Sequence, residues 1–333
     1  MKKFLAIMMV CVMAVSTTAF AAEFVDIEGH WATAAIENAA ENGLITGSEG
    51  RFNPDNNMTR AEMATIMVRA CGATADADIS EFTDVTTDDW YYASVSKAVA
   101  MGAFNGSDGR FNPNNSITRQ EAFVVLSRVF GLAINNTVDA SILNQFKDGD
   151  QVADWAKNDV AAIISEGYVG GSNGMLNPNA NITRAEFAAV MDRLVKYYID
   201  DPDTTTIPSD GNVMIRVGGL KLNGADTDKM VVIGDGVGET EMSIINSYLD
   251  DVLVVRAGKT VKLDGRYAHV KIIRPNLRVE GVIRSKGESY DTEKVHKVYI
   301  WKDSVFSSFD TGLGNEEPAG TETPVDAVDE TEE

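Results

Sequence analysis

The sequence predicts a two-part α + β protein, mainly helical in its N-terminal half and all-β beyond it. Two observations carry this. Three Trp–Arg pairs keep one spacing, Trp31/Arg60, Trp90/Arg119 and Trp155/Arg184, each 29 residues apart. From Val213 onward, short β-branched runs separated by Gly and Asn/Asp replace the helical periodicity. Self-similarity at a fixed spacing marks three copies of one structural unit.

The chain opens with Met1-Lys2-Lys3, an apolar run from Phe4 to Val15, and Ala19-Phe20-Ala21. That order predicts a secretory signal peptide over residues 1–22. Val10 stands where lipidation of Cys11 would need a small residue, so Cys11 reads as part of the leader. Cleavage leaves Cys71 as the one cysteine, with no internal disulfide, and its apolar helical face makes it a small core residue. Losing the two leader lysines takes the formal net charge from −21 to −23. Such acidity keeps an exported protein soluble and argues against nucleic acid or anionic lipid as partners. No later apolar run has spanning length and no apolar tail with basic stop residues closes the chain. Neither membrane insertion nor covalent wall attachment is therefore expected.

The repeats are read as 23–75, 80–135 and 144–199. Each enters on an aromatic (Phe24-Val25-Asp26, Phe82-Thr83-Asp84, Phe146-Lys147-Asp148), and a helix then continues from the Trp. Gly43, Gly102 and Gly167 end that helix, and a glycine-rich loop follows through Gly47, Gly106 and Gly171 to an Asn-Pro pair. The second helix starts at Thr59, Thr118 and Thr183. Glu62, Glu121 and Glu186 lie three residues on, which is the capping-box pattern.

The capping box leaves Arg60, Arg119 and Arg184 unexplained. A cation at the first helical position faces the positive end of the helix dipole, which costs up to about 1 kcal/mol. Two readings are open: an anion pocket formed with free helix N–H groups, or a structural ion pair with a nearby carboxylate such as Asp26, Asp84 or Asp148. Trp31, Trp90 and Trp155 divide likewise. A Trp at a helix start is more often a core anchor, yet a half-exposed ring can stack on a sugar while its N–H donates. Gly47, Gly106 and Gly171 mark either close approach of a ligand to the backbone or plain loop geometry.

The combination Phe-x-Asp, Trp, Asn-Gly-Leu-Ile-Thr-Gly and Gly-Arg-Phe-Asn-Pro-Asp-Asn-Asn-Met-Thr-Arg-Ala-Glu resembles the S-layer homology (SLH) domain, in three copies over residues 23–199. The resemblance implies a pseudo-threefold unit around a central helical bundle. It also implies grooves that hold a secondary cell wall polymer, typically a pyruvylated polysaccharide joined to peptidoglycan. Carried over, the carbohydrate-binding positions are Trp31, Gly47, Arg60, Trp90, Gly106, Arg119, Trp155, Gly171 and Arg184. Copy two departs at Gln120. Copy three departs at Leu176 and Met175 and has extra residues before Trp155, which makes the third groove the expected weak one.

Residues 200–211, with two prolines and no apolar period, read as a linker across which few contacts should pass. The runs in 212–310, spaced by roughly 8–10 residues, fit a small sandwich or a short solenoid. Val261-Lys262-Leu263 and Val270-Lys271-Ile272, with turns at Gly258 and Gly265, lean towards a parallel rung. Residues 311–333 carry eight acidic residues and no basic one, a solvated tail.

No catalytic set emerges. His269 and His296 do not fall at metal spacing, and Asp250, Asp251 and Asp264 are the clustered carboxylates, read as turn residues. The reading is thus a secreted, non-enzymatic cell-surface protein with no metal and no cofactor. Its repeats anchor it non-covalently to the wall polymer, with other S-layer subunits as further partners. The alternative is an enzyme anchored by the same repeats, with polysaccharide chemistry in the β domain.

Overall fold

The computed structural model describes residues 24–133 and 138–273, together with strand segments 278–284, 299–300 and 307–310. The segments read as a leader (1–22) and as an acidic tail (311–333), and His296, lie outside the described residues. Each repeat contributes two helices: α1 (Thr33–Glu41) and α2 (Arg60–Cys71), α3 (Tyr92–Ala100) and α4 (Arg119–Phe130), α5 (Lys157–Ser165) and α6 (Arg184–Leu194). All three capping boxes form. Thr59, Thr118 and Thr183 accept from the N–H of Glu62, Glu121 and Glu186, and each glutamate bonds back to the threonine N–H. The first helices end in paired bonds, such as Gly43 N to Ala40 O and Leu44 N to Ala39 O, which is the Schellman arrangement. Two short 3-10 turns, Ala140–Gln145 and Gly149–Gln151, absorb the extra residues before Trp155.

Between the helices the chain makes a two-residue hairpin turn. Glu49 and Gly50 both have positive φ (51° and 72°), as a type I′ turn requires, and Ser48 and Arg51 exchange backbone bonds across it. Asp108-Gly109 and Asn173-Gly174 repeat the turn. The Asp of each entry motif then ties the returning strand down. Asp26 accepts from Phe52 and Asn53 N–H, Asp84 from Phe111 and Asn112, and Asp148 from Leu176 and Asn177.

The three copies close into a ring. Met58 N bonds Ile182 O, Ile182 N bonds Ile117 O, and Ile117 N bonds Met58 O, at 2.9, 3.1 and 3.0 Å. All three side chains are buried. The second helix of each repeat packs on the first helix of the next, α2 on α3, α4 on α5 and α6 on α1. This is the pseudo-threefold bundle that the family resemblance implied.

Beyond α6 the chain forms a parallel β-solenoid, so the sandwich alternative falls away. Its strands are β1 (Tyr197–Ile199), β2 (Val213–Ile215), β3 (Lys221–Asn223), β4 (Asp226–Thr227), β5 (Val231–Ile233), β6 (Glu241–Val255), β7 (Thr260–Ile272), β8 (Arg278–Arg284), β9 (Tyr299–Ile300) and β10 (Ser307–Asp310). Parallel pairing stacks like on like. Ile215, Ile233, Val255 and Ile272 form one column, and Leu222, Ile244 and Leu263 another, all within the solenoid core. Gly258 turns the chain between β6 and β7 as expected. Gly265 instead lies inside β7, opposite Ser247 at a register shift.

The segment read as a linker is packed rather than free. Ile207 is buried in the solenoid core, and Thr205 O and Ser209 O accept from Asn223 N–H and Thr227 Oγ1. The neighbouring column Met214–Val232–Val254, one residue off the solenoid's inward register, faces the opposite way and joins the helical core. Alternation along one strand therefore serves two cores. The expectation of few contacts between the two halves is corrected: the solenoid is docked on the bundle.

Candidate functional site

The arginines do not sit within their own repeats. Arg60 donates from Nε to Phe111 O (2.9 Å) and from Nη2 to Asn105 O (3.2 Å), both in repeat two. Arg119 donates to Leu176 O (2.8 Å) and pairs with Glu186 (2.8 Å) in repeat three. Arg184 donates to Phe52 O (2.8 Å) and pairs with Glu62 (2.5 Å), back in repeat one. Each seam of the ring thus holds one guanidinium.

The ion-pair reading holds at two seams, but with a different partner. Glutamates of the neighbouring capping box take the arginines, whereas Asp26, Asp84 and Asp148 are spent on backbone N–H groups. The anion pocket built on free helix N–H groups is also corrected. Arg60 N and Ala61 N donate to Asn115 O and Pro113 O of the next repeat, and Glu62 N donates to Thr59 Oγ1. The same bonds occupy Arg119, Gln120, Arg184 and Ala185. The helix ends have no donors left for a ligand. What remains is the guanidinium itself.

The three guanidiniums differ. Arg184 and Arg119 are neutralised in place by carboxylates at hydrogen-bond distance. Arg60 has two carbonyls in hydrogen-bond contact, and burial lowers its pKa against the longer-range pull of Glu121 and Asp84. Aromatic faces lie beneath: Arg184 over Phe52 (4.7 Å) and Arg60 over Phe111 (5.1 Å), while Arg119, facing Leu176, lies over Phe123 of its own helix (5.3 Å). Because each arginine reads the next repeat, the Leu176 departure falls on the Arg119 seam.

The tryptophans are not core anchors. Trp31, Trp90 and Trp155 are 66, 66 and 57% exposed, the large exposed apolar side chains of the repeats alongside Val25. Burial of the next residue, Ala32, Tyr91 or Ala156, anchors the helix start instead. A ring left in water at the same place three times is costly unless something covers it in use. Among the described residues no ring contact or hydrogen bond joins a Trp to a seam arginine.

The loop glycines have a packing reason. A Cβ on Gly47 would lie 2.4 Å from the Phe24 ring, on Gly106 2.2 Å from Phe82, and on Gly171 2.7 Å from Phe146. The entry aromatic fills the space a side chain would need, so the plain loop-geometry reading accounts for them.

In the solenoid, Asp250, Asp251 and Asp264 lie within β6 and β7 and are not turn residues. Asp250 is held by Arg266 through two bonds (3.0 and 2.9 Å), and burial raises the Asp251 carboxyl. Among the described residues no group of three or more His, Cys, Asp or Glu is placed to hold a metal, and no helix is long and apolar enough to cross a membrane.

The S-layer homology domain model matches residues 23–64, 81–123 and 145–188. Similar proteins include the surface-layer 125 kDa protein of Lysinibacillus sphaericus (37% identical over 180 residues, 52% of this chain and 15% of that one). The amylopullulanase of Thermoanaerobacterium thermosulfurigenes is 31% identical over 170 residues, 50% of this chain and 9% of that one. Exoglucanase XynX of Acetivibrio thermocellus is 30% identical over 170 residues, 50% of this chain and 16% of that one. The chain thus spans less than a fifth of the length of each of these three.

Proposed function

From the premise that residues 23–188 carry three tandem S-layer homology domains, we propose that this cell-surface protein is anchored non-covalently to the wall by those repeats. The ligand is a secondary cell wall polysaccharide carrying acidic, pyruvyl-type substituents. The observation that carries the reading is the set of exposed indoles, one per repeat, on a ring whose seams each hold an arginine. Indole faces stack on sugar rings, and a guanidinium fork suits a carboxylate. Trp31, Trp90 and Trp155 are assigned as stacking platforms. Arg60 is assigned as the main anion contact, because among the described residues no carboxylate lies within hydrogen-bond distance of it. Arg119 and Arg184 can contribute only by sharing a glutamate's partner. Gly47, Gly106 and Gly171 act indirectly, by letting the loops close on the entry aromatics.

The solenoid is proposed as displayed, non-catalytic cargo. The relatives named as glycosidases align with this chain through their S-layer homology domains, so the likeness by itself carries no catalytic role over to it. The enzyme reading would need a carboxylate pair, and Asp250 is committed to Arg266.

Co-sedimentation of the mature chain with purified walls tests the anchor. Binding is expected to intact walls and to be lost after the polymer is stripped or its pyruvyl groups removed, with the protein still folded. Undiminished binding to depyruvylated walls would reject the carboxylate–arginine contact. Release of reducing sugar from the walls would overturn the non-catalytic assignment.

A further inference from the structure

The solenoid meets the bundle at the C-terminal ends of its helices, and it does so with cations. In repeat one, Arg216 Nη1 donates to Asn42 O (3.1 Å) and Arg69 O (3.2 Å), at the ends of α1 and α2. In repeat two, Arg256 donates to Met101 O and Val129 O (both 2.9 Å), at the ends of α3 and α4. Helix C-termini carry partial negative charge from unpaired carbonyls, so a guanidinium suits them. Asn42 and Met101 are equivalent positions, each 11 residues after its repeat's Trp.

The same count in repeat three reaches Glu166, the C-cap of α5. Leu194, 10 residues after Arg184 as Val129 is after Arg119, stands at the end of α6. Among the described residues no solenoid arginine occupies this third position. Neutral Asn212 is there instead, its Nδ2 donating to Leu194 O (3.1 Å) and Tyr168 Oη (2.8 Å). Arg193 is not the counterpart of Arg216 either. It bonds Tyr168 O (3.3 Å), the role that Arg69 plays on Leu44 O (3.1 Å) in repeat one.

Beside Asn212 the surface opens into a cavity of about 740 Å3. Five acidic and three basic side chains line it, and two of the basic ones are already paired, Lys196 with Asp210 and Lys229 with Asp228. Glu166 and Asp251 have no ion pair among the described contacts. Lys271 lies within electrostatic reach of both, but its ammonium is held on Gly131 O (2.9 Å).

We propose that this cavity is the third guanidinium socket of the bundle, filled by an arginine side chain of a partner polypeptide. The occupant's chemistry is read from the two equivalent sockets, where an arginine is delivered by polypeptide onto the same pair of helix ends. An acidic chain with formal net charge −21 also draws basic partners rather than acidic ones. Glu166 and Asp251 both line the cavity and lie within electrostatic reach of each other, so a planar, multi-donor fork can serve both carboxylates, which a compact ammonium does less well.

The test titrates the full mature chain with Nα-acetyl-arginine amide, followed by backbone amide NMR shifts. Saturable shifts confined to the neighbourhood of Gly167, Gly211 and Asp251 are expected, with the citrulline analogue inert and the blocked lysine weaker. Glu166→Gln/Asp251→Asn should weaken binding by about tenfold. Asn212→Arg, which supplies an internal guanidinium, should abolish it and raise the melting temperature. No saturable shift, equal shifts with citrulline or blocked lysine, or unchanged binding in both variants would overturn the proposal. Binding of methyl glucosaminide in place of the arginine probe would also overturn it, in favour of a sugar amine.

Discussion

Arg184 Nη1 lies 2.5 Å from Glu62 Oε1, joining the last repeat of the ring to the first. Glu62 also caps α2, so one carboxylate serves a helix end and a ring closure. Replacing Arg184 with Ala leaves Phe52 O and part of Glu62 unpaired in a seam where the guanidinium is 14% exposed. The expected loss is about 2 kcal/mol of stability, since charged hydrogen bonds are worth more than neutral ones. Urea unfolding of the variant checks this.

Arg60→Ala is expected to divide differently. No ion pair within hydrogen-bond distance is broken, so its stability loss should be smaller than that of Arg184→Ala. Its loss of wall binding should be the largest of the three arginine variants. Parallel melting curves and wall isotherms decide it; equal binding losses across the three would reject the assignment of Arg60 as the principal contact.

The indoles give the cleanest separation of binding from folding. Trp31→Ala, Trp90→Ala and Trp155→Ala each remove a largely exposed ring, so stability should move by no more than about 0.5 kcal/mol. Wall affinity should fall in each. A variant that keeps full affinity removes that indole from the site.

Arg256 is 3% exposed and paired to Asp235 at 2.6 Å, with its other nitrogens on the bundle's carbonyls. Arg256→Ala strands Asp235 in the interface and is expected to cost about 3–5 kcal/mol. The same docking predicts that residues 24–199 expressed alone melt below the full chain, because Met214, Val232 and Val254 no longer cover the helical core. Calorimetry should show one transition for the mature chain. Two independent transitions would mean the interface is not cooperative.

Asp26 and Asp148 set an acid limit. Burial pushes their carboxyls up, but two backbone N–H donors each outweigh it and hold both below the ordinary aspartate range. A pKa depressed in the folded state contributes stability at pH above the unfolded value, and that contribution is lost as pH falls through the folded one. Stability should therefore hold through mildly acid pH and drop once these carboxylates protonate. Asp148→Asn, measured by denaturant midpoint against pH, should flatten that drop.

What the sequence determined by itself was the part set by residues a few positions apart within one repeat or one rung. Capping boxes and helix-ending glycines depend on residues a few positions apart, and three copies in register made each visible. The parallel rung was legible in 258–272 because its apolar alternation and the turn at Gly258 are also local. Only tertiary structure decided the rest. The offset that sends each arginine into the next repeat is a property of ring closure, in which residues 122 positions apart (Glu62 and Arg184) become neighbours. A Trp at a helix start reads alike whether buried or bare, because the neighbouring elements that would cover it come from elsewhere in the chain. The docked solenoid was hidden for the same reason. Arg216 and Arg256 look like ordinary strand residues until the helix ends that accept them are brought 147 and 127 positions back along the chain, to Arg69 and Val129.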